Sequence, residues 1–236
     1  MTATTIPTTG APKRFGRQFW ERLWQTAGVQ SVGLLLVACL RYGPLPGVDA
    51  PIEKLGLYYG EHRTAILMAA SLLGVGLLNL MWFAAALRTA LADAGQDGWG
   101  AAATASSSAV ATLGFLPGAA LAGHAYSGTG SGTGVLSPEL HNLVWAAIVL
   151  TSFPRAMLIM AASFGFWRAD VISNRTFAVG VACVVLTLMS GTTWMDSGFW
   201  APDGLYSRII SPVIDVLWVL GVSRILLKAP VAKSGW

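Results

Sequence analysis

Charge is scarce in this sequence: charged side chains make up 11% of its 236 residues, whereas a soluble domain carries roughly 25%. The deficit runs along the whole chain. It therefore excludes both an ordinary water-soluble fold and a soluble domain tethered by a single anchor. Cysteine is nearly as rare. The two present, Cys39 and Cys183, sit inside apolar runs, which excludes a disulfide framework of the secreted kind. The net charge is only +4, and its basic residues lie at the ends of apolar runs, a distribution that orients a membrane protein and excludes a nucleic-acid-binding patch. Several chemical signatures are missing as well. There is no Gly-rich phosphate loop, HExxH, CxxC or nucleophile elbow, nor the aspartate-rich pairs of a membrane prenyl-transfer enzyme. No internal repeat supports the inverted halves of a typical secondary transporter.

What the chain does have is apolar length. Hydrophobic residues reach 54% and the mean hydropathy is +0.60. At about 20 residues per crossing, the apolar runs predict an all-α, polytopic integral membrane helix bundle of six spans. These lie near 26–42, 64–88, 100–123, 142–166, 175–195 and 206–227. The first is the shortest, and Leu36-Val37-Ala38-Cys39 resembles a lipoprotein cleavage box. The long amphipathic segment before it and the bulky Leu40 after it favour an uncleaved span. Residues 1–12 read as a disordered tail. Residues 13–25 read as an interfacial amphipathic helix, with Phe15, Phe19, Trp20, Leu23 and Trp24 at helical spacing among basic residues. The transmembrane domain covers 26–228, and 229–236 form a cytoplasmic tail.

Orientation follows from lysine and arginine. One set of connecting segments holds ten of them (Lys13, Arg14, Arg17, Arg22, Arg88, Arg168, Arg175, Arg224, Lys228 and Lys233) and the other holds four (Arg41, Lys54, Arg63 and Arg208). The positive-inside rule then places both termini in the cytoplasm, and the expected location is a bacterial inner membrane. The third span is nearly all small residues, with Ser106, Ser107 and Ser108 in a row. Such residues let helices approach closely and hydroxyls bond across helices, so this span is expected at the bundle's centre.

Two polar constellations could carry chemistry. Arg155 and Asp215 lie within spans four and six, which run in the same direction, about 13 and about 9 residues from the outer border; at about 1.5 Å per residue their depths differ by roughly 6 Å. A lone charge at mid-bilayer costs at least about 2.5–3.5 kcal/mol, so the two are expected to pair. The pair reads either as a fixed lock between helices or as a working site, lined by Ser107, in a polar cavity. The second constellation gathers the three histidines, His62, His124 and His141, at the outer ends of spans with Glu61 and Glu139. Imidazoles and carboxylates together suit a divalent metal or a proton relay, and two histidines suit a haem. No two of them share the i, i+4 spacing of a helix-face ligand pair, so the pattern selects no cofactor.

From His141 to about Leu227, the stretch LHNLVWAAIVLTSFPRAMLIMAASFGFWRA, the basic turn at Asn174-Arg175 and the Gly- and Trp-rich segment before the last helix together resemble a loose group of uncharacterised bacterial multi-span membrane proteins, especially those of actinobacteria. The resemblance implies a membrane bundle and transfers no activity or catalytic residue. Three functions stay open: binding or transport of a small or amphiphilic ligand at the Arg155–Asp215 site, a membrane enzyme using the outer His/Glu groups, and a non-catalytic subunit of a membrane complex. The expected partners are membrane lipids, with other membrane proteins or a second copy of the chain.

Overall fold

The computed structural model describes residues 24–127 and 137–228; the expected tails and all but the end of the 13–25 interfacial helix lie outside the described residues. Every regular element among the described residues is helical. In chain order they are α1 (Ala27–Tyr42), α2 (Ile52–Glu61), α3 (Arg63–Asp93), α4 (Asp97–Ser127), α5 (Pro138–Leu150), α6 (Ser152–Arg168), α7 (Asn174–Ser190), a π-helical turn (Tyr206–Ile210) and α8 (Ser211–Lys228).

Four helical stretches are long and apolar enough to cross a membrane: Arg63–Asp93, Asp97–Ser127, Pro138–Arg168 and Tyr206–Lys228. Two shorter apolar helices, Ala27–Tyr42 and Asn174–Ser190, pack beside them. The third of the four joins α5 and α6 through Thr151. Pro154 has no N–H to offer the carbonyl of Leu150, but it falls in the first turn of α6. The backbone bonds Thr151 N to Ala147 O (2.9 Å) and Arg155 N to Thr151 O (3.0 Å) carry the helix across the junction. The fifth expected span, 175–195, stops earlier, at Ser190. There the hydroxyls of Thr192 and Thr193 return to the carbonyls of Met189 and Ser190, a local alternative to the helix ladder.

Neighbouring helices close a cycle: α1 against α3, α3 against α4, α4 against α5 and α6, α6 against α7, α7 against α8, and α8 back against α1. Close approach is bought with small residues. A Cβ on Gly28 would lie 2.3 Å from Ser223 Oγ and 2.7 Å from the Phe83 ring, and one on Gly180 would lie 2.4 Å from Ser163 Oγ. The serine triplet of α4 behaves differently from the expectation of cross-helix bonding. Ser106, Ser107 and Ser108 each donate to a carbonyl of their own helix, Ala102 or Thr104. One cross-helix hydroxyl bond comes from Ser31, which donates to Gly76 O at 2.8 Å.

The apolar interior has two parts. A larger cluster around Phe83, Leu87, Leu91, Phe166 and Trp218 fills the end of the bundle where Arg88 and Arg168 emerge, called here the basic end. A smaller one around Leu55, Tyr59, Ile66, Leu121 and Trp145 fills the opposite, cap end. Around the perimeter, large apolar side chains such as Leu78, Val179, Val185 and Leu217 are half or more exposed. α7 buries only Gly180, Thr187 and Ser190 among its residues. An apolar surface of that extent needs an apolar solvent.

Candidate functional site

The two charges within the apolar stretches are bonded to one another. The Arg155 guanidinium donates through Nη1 to Asp215 Oδ2, and through Nη2 to Ser152 Oγ at 2.9 Å. Asp215 Oδ1 accepts from Thr187 Oγ1 at 3.0 Å. Three helices therefore meet at one carboxylate: α6 supplies Arg155 and Ser152, α7 supplies Thr187 and α8 supplies Asp215. Both charged side chains are 17% exposed. A desolvated ion pair is stable only when its remaining donors and acceptors are also bonded, and Ser152 and Thr187 supply part of that.

The satisfaction is incomplete. Arg155 Nε is buried without a partner, and so are the hydroxyls of Ser190, Ser207 and Ser211. Their placement follows from helical periodicity. Ser211 is one turn from Asp215 on the same face of α8 and Ser190 is one turn from Thr187 on α7. In each case the serine lies on the cap side. Ser207, in the π-helical turn, extends the series toward the cap end. A wide π turn is found mostly as a local insertion near functional positions. The unpaired serines on the cap side of the pair thus make a tract that climbs toward the cap, while a further unpaired hydroxyl, Ser223, lies about two turns beyond Asp215 toward the basic end. Sequence reading found its two charges and missed its hydroxyls; the Ser207, Ser211, Asp215 spacing of four residues was the available signal. Ser107, expected beside the pair, is buried on α4 and bonds Thr104 O within its own helix at 2.9 Å.

The histidines are distributed differently. His141 is fully buried and both ring nitrogens are engaged. Nε2 lies 3.1 Å from Pro46 O and 3.2 Å from Gly47 O. Carbonyls only accept, so Nε2 carries the proton and Nδ1 accepts from Tyr59 OH at 2.9 Å. Burial pushes the Tyr59 phenol above its usual range, which keeps it a donor. His124 packs its ring on Tyr59, with centroids 4.7 Å apart, and its buried Nε2 has no partner. His62 is exposed and stacks on Tyr58, whose phenol burial raises to about 12. Glu61 and Glu139 are exposed, and Glu139 accepts from the Ser137 hydroxyl at 2.7 Å. Among the described residues, no three His, Cys, Asp or Glu side chains come close enough to hold a metal ion. The residues sequence reading had grouped as metal or haem ligands therefore divide: His124 and His141 share Tyr59, while His62, Glu61 and Glu139 face outward.

What these side chains build is a clamp on the segment 43–51. Besides His141, Trp145 Nε1 donates to Pro46 O at 3.0 Å and Arg208 donates to Leu45 O. Asn142 exchanges two bonds with Asp49, and Asp203 accepts from Val48 N at 3.3 Å. The segment crosses the cap end as a strap, with its backbone polar groups fixed by side chains from α5 and from the turn before α8. No family model, curated protein or solved structure matches the chain, so chemistry has to be argued from these contacts.

Proposed function

We propose that the chain is a six-span protein of a bacterial inner membrane that binds or passes a small or amphiphilic ligand at the polar tract around Arg155 and Asp215. α1 and α7 would supply the fifth and sixth crossings. At 1.5 Å per residue they are about 24 and 26 Å long against a hydrocarbon core of about 30 Å, a mismatch that local thinning of the bilayer absorbs. The ten-to-four lysine and arginine asymmetry puts the basic end in the cytoplasm and the cap end outside. Arg155 would hold an anionic group, and Asp215 would balance it or carry a proton.

The observation that carries this reading is a group of unpaired buried atoms, Arg155 Nε and the hydroxyls of Ser190, Ser207 and Ser211, four of the seven such atoms among the described residues; the other three are Arg63 Nε, His124 Nε2 and Ser223 Oγ. Buried polar groups in folded proteins are nearly always bonded, to water when not to protein. An ion pair serving only to lock helices has no use for a trail of unbonded hydroxyls leading away from it. Water, or the polar part of a ligand, completes them.

Cysteine accessibility tests the proposal. Cys39 and Cys183 are replaced by alanine, and Ser207→Cys, Ser211→Cys and Val185→Cys are introduced singly into the full chain in sealed vesicles. A membrane-impermeant thiol reagent added from the cap side should modify the first two and leave Val185→Cys untouched. Equal protection of all three positions would make the tract dry and defeat the proposal.

A further inference from the structure

The basic end carries a second site that shares no residue with the polar tract. Two adjoining open hollows, of about 460 and 630 Å³, lie there and share Trp99 and Arg168 in their walls. The larger, a shallow depression open to its surroundings, is lined by Trp99, Phe164, Trp167, Arg168, Asp170 and Asn174. Its floor is aromatic and rigid. Trp99 stacks on Phe164 with centroids 5.4 Å apart, Trp167 stacks on Phe177 at 4.5 Å, and Trp167 Nε1 donates to Asn174 Oδ1 at 2.8 Å.

The charges on its wall are of opposite sign. α6 ends at Arg168, and the chain then turns through Asp170 at φ 55°. The bonds Val171 N to Phe166 O and Asp170 N to Trp167 O form the six-to-one and five-to-two pair of a Schellman turn, which sets Asp170 beside the hollow. Among the described residues neither the Arg168 guanidinium nor the Asp170 carboxylate enters an ion pair or side-chain hydrogen bond, and both side chains are exposed.

We infer that this hollow seats the headgroup of a phospholipid bearing a primary ammonium, of the phosphatidylethanolamine type, with Arg168 on the phosphate and Asp170 on the ammonium. A guanidinium suits a phosphate through paired N–H donors. Tryptophan faces suit a primary or a quaternary ammonium, but only a primary one has N–H donors for the Asp170 carboxylate, which choline lacks. A purely anionic headgroup would satisfy Arg168 and meet Asp170 with repulsion. The hollow opens where two of the four membrane-length helices reach their ends, Trp99 near the start of Asp97–Ser127 and Arg168 at the end of Pro138–Arg168. Aromatic rings at that level sit among headgroups, which makes a lipid the occupant. The inference rests on those helices crossing a bilayer and not on the Arg155–Asp215 reading.

The experiment reconstitutes the full chain in nanodiscs of equal parts phosphatidylethanolamine, phosphatidylglycerol and phosphatidylcholine, extracts it in mild detergent, and counts retained lipids by native mass spectrometry. Phosphatidylethanolamine should be enriched over both others. Arg168→Ala should lower its retention about tenfold, the loss of one charge-assisted phosphate contact. Asp170→Asn should erase the preference over phosphatidylglycerol while leaving total retention similar. Both side chains are exposed, so an unchanged melting temperature is expected in each variant. Equal retention of the three lipids, or a wild-type pattern in both variants, would overturn the inference. So would displacement of the retained lipid by millimolar soluble phosphoethanolamine, which would assign the hollow to a free metabolite.

Discussion

The cap-end clamp, which runs from buried His141 and Trp145 out to exposed Arg208, and the mid-bundle tract both set polar side chains against apolar helices, yet they are finished differently. In the clamp, His141, Trp145, Asn142 and Arg208 each find an acceptor on the 43–51 strap, and Asp203 finds its N–H. In the tract, Arg155 and Asp215 are bonded, but one guanidinium nitrogen and three hydroxyls are left over. A satisfied network rigidifies, while an unsatisfied one costs stability unless something else completes it. The cap end has orphans of its own, Arg63 Nε and His124 Nε2, but neither takes part in the bonds on the strap; the contrast is between those completed bonds and the incomplete ones of the tract, and mutations can widen or collapse it.

The largest expected effect is at the ion pair. Arg155→Ala alone and Asp215→Ala alone should each destabilise the protein by about 3–5 kcal/mol, because each leaves a buried charge without its partner. The double variant Arg155→Met with Asp215→Leu should recover most of that loss, since it removes both charges and keeps volume. Thermal unfolding in detergent reads this. A double variant as unstable as the singles would mean that the pair is not an independent unit. At the cap end no such rescue is expected. His141→Ala deprives Tyr59 and the strap carbonyls together, at a cost of about 2–3 kcal/mol. It should also make residues 43–51 exchange amide hydrogens faster and become a protease target; unchanged exchange there would remove His141 from the clamp.

A third prediction concerns the packing that brings the tract's helices together. Gly180→Val would drive a side chain into Ser163 Oγ, 2.4 Å from the position of the added Cβ. Separating α7 from α6 in this way should cost about 1–3 kcal/mol and loosen the Thr187–Asp215 bond with it. The same substitution at Gly60, where nothing lies within 4 Å of an added Cβ, should cost well under about 1 kcal/mol beyond helix propensity. Equal losses at the two positions would mean that close α6–α7 contact is not what Gly180 provides.

How far the sequence announced these regions depends on what each residue type does locally. Apolar runs of membrane length announce themselves, because a lipid-facing helix tolerates little polarity anywhere on its surface, and the four long helices fall where those runs do. The helix α2 did not stand out. Its Leu55, Tyr58 and Tyr59 repeat helically, but over 10 residues between a proline and a histidine, too short a segment to read as a crossing. Arg155 and Asp215 stood out because charge is rare in such runs. Their hydroxyl partners did not, since a serine or threonine in a helix has its own i−3 or i−4 carbonyl at hand. Ser106, Ser107 and Ser108 take that option, and the one sequence cue that sets Ser211 apart from them is its four-residue spacing from Asp215. Nor does it disclose that His141 spends both nitrogens on Tyr59 and the strap, a matter of where residues 46, 59 and 141 meet in space.

The smallest effect has the most informative sign. Ser211 lies one turn from Asp215, is fully buried, and its hydroxyl bonds nothing in the protein. In a dry bundle that hydroxyl is a desolvated dipole, and Ser211→Ala should raise stability by about 1 kcal/mol. In a tract holding water the hydroxyl is bonded, and the same change removes a partner from that water at a cost of about 0.5–1 kcal/mol. The second outcome is the expected one, and Ser190→Ala should share its sign. Trp145→Phe supplies the reference at the cap end, where the lost bond to Pro46 O is known and a cost of about 1 kcal/mol is expected. If both serine variants gain stability while Trp145→Phe loses it, the tract is empty and the contrast between the two regions is one of packing quality alone.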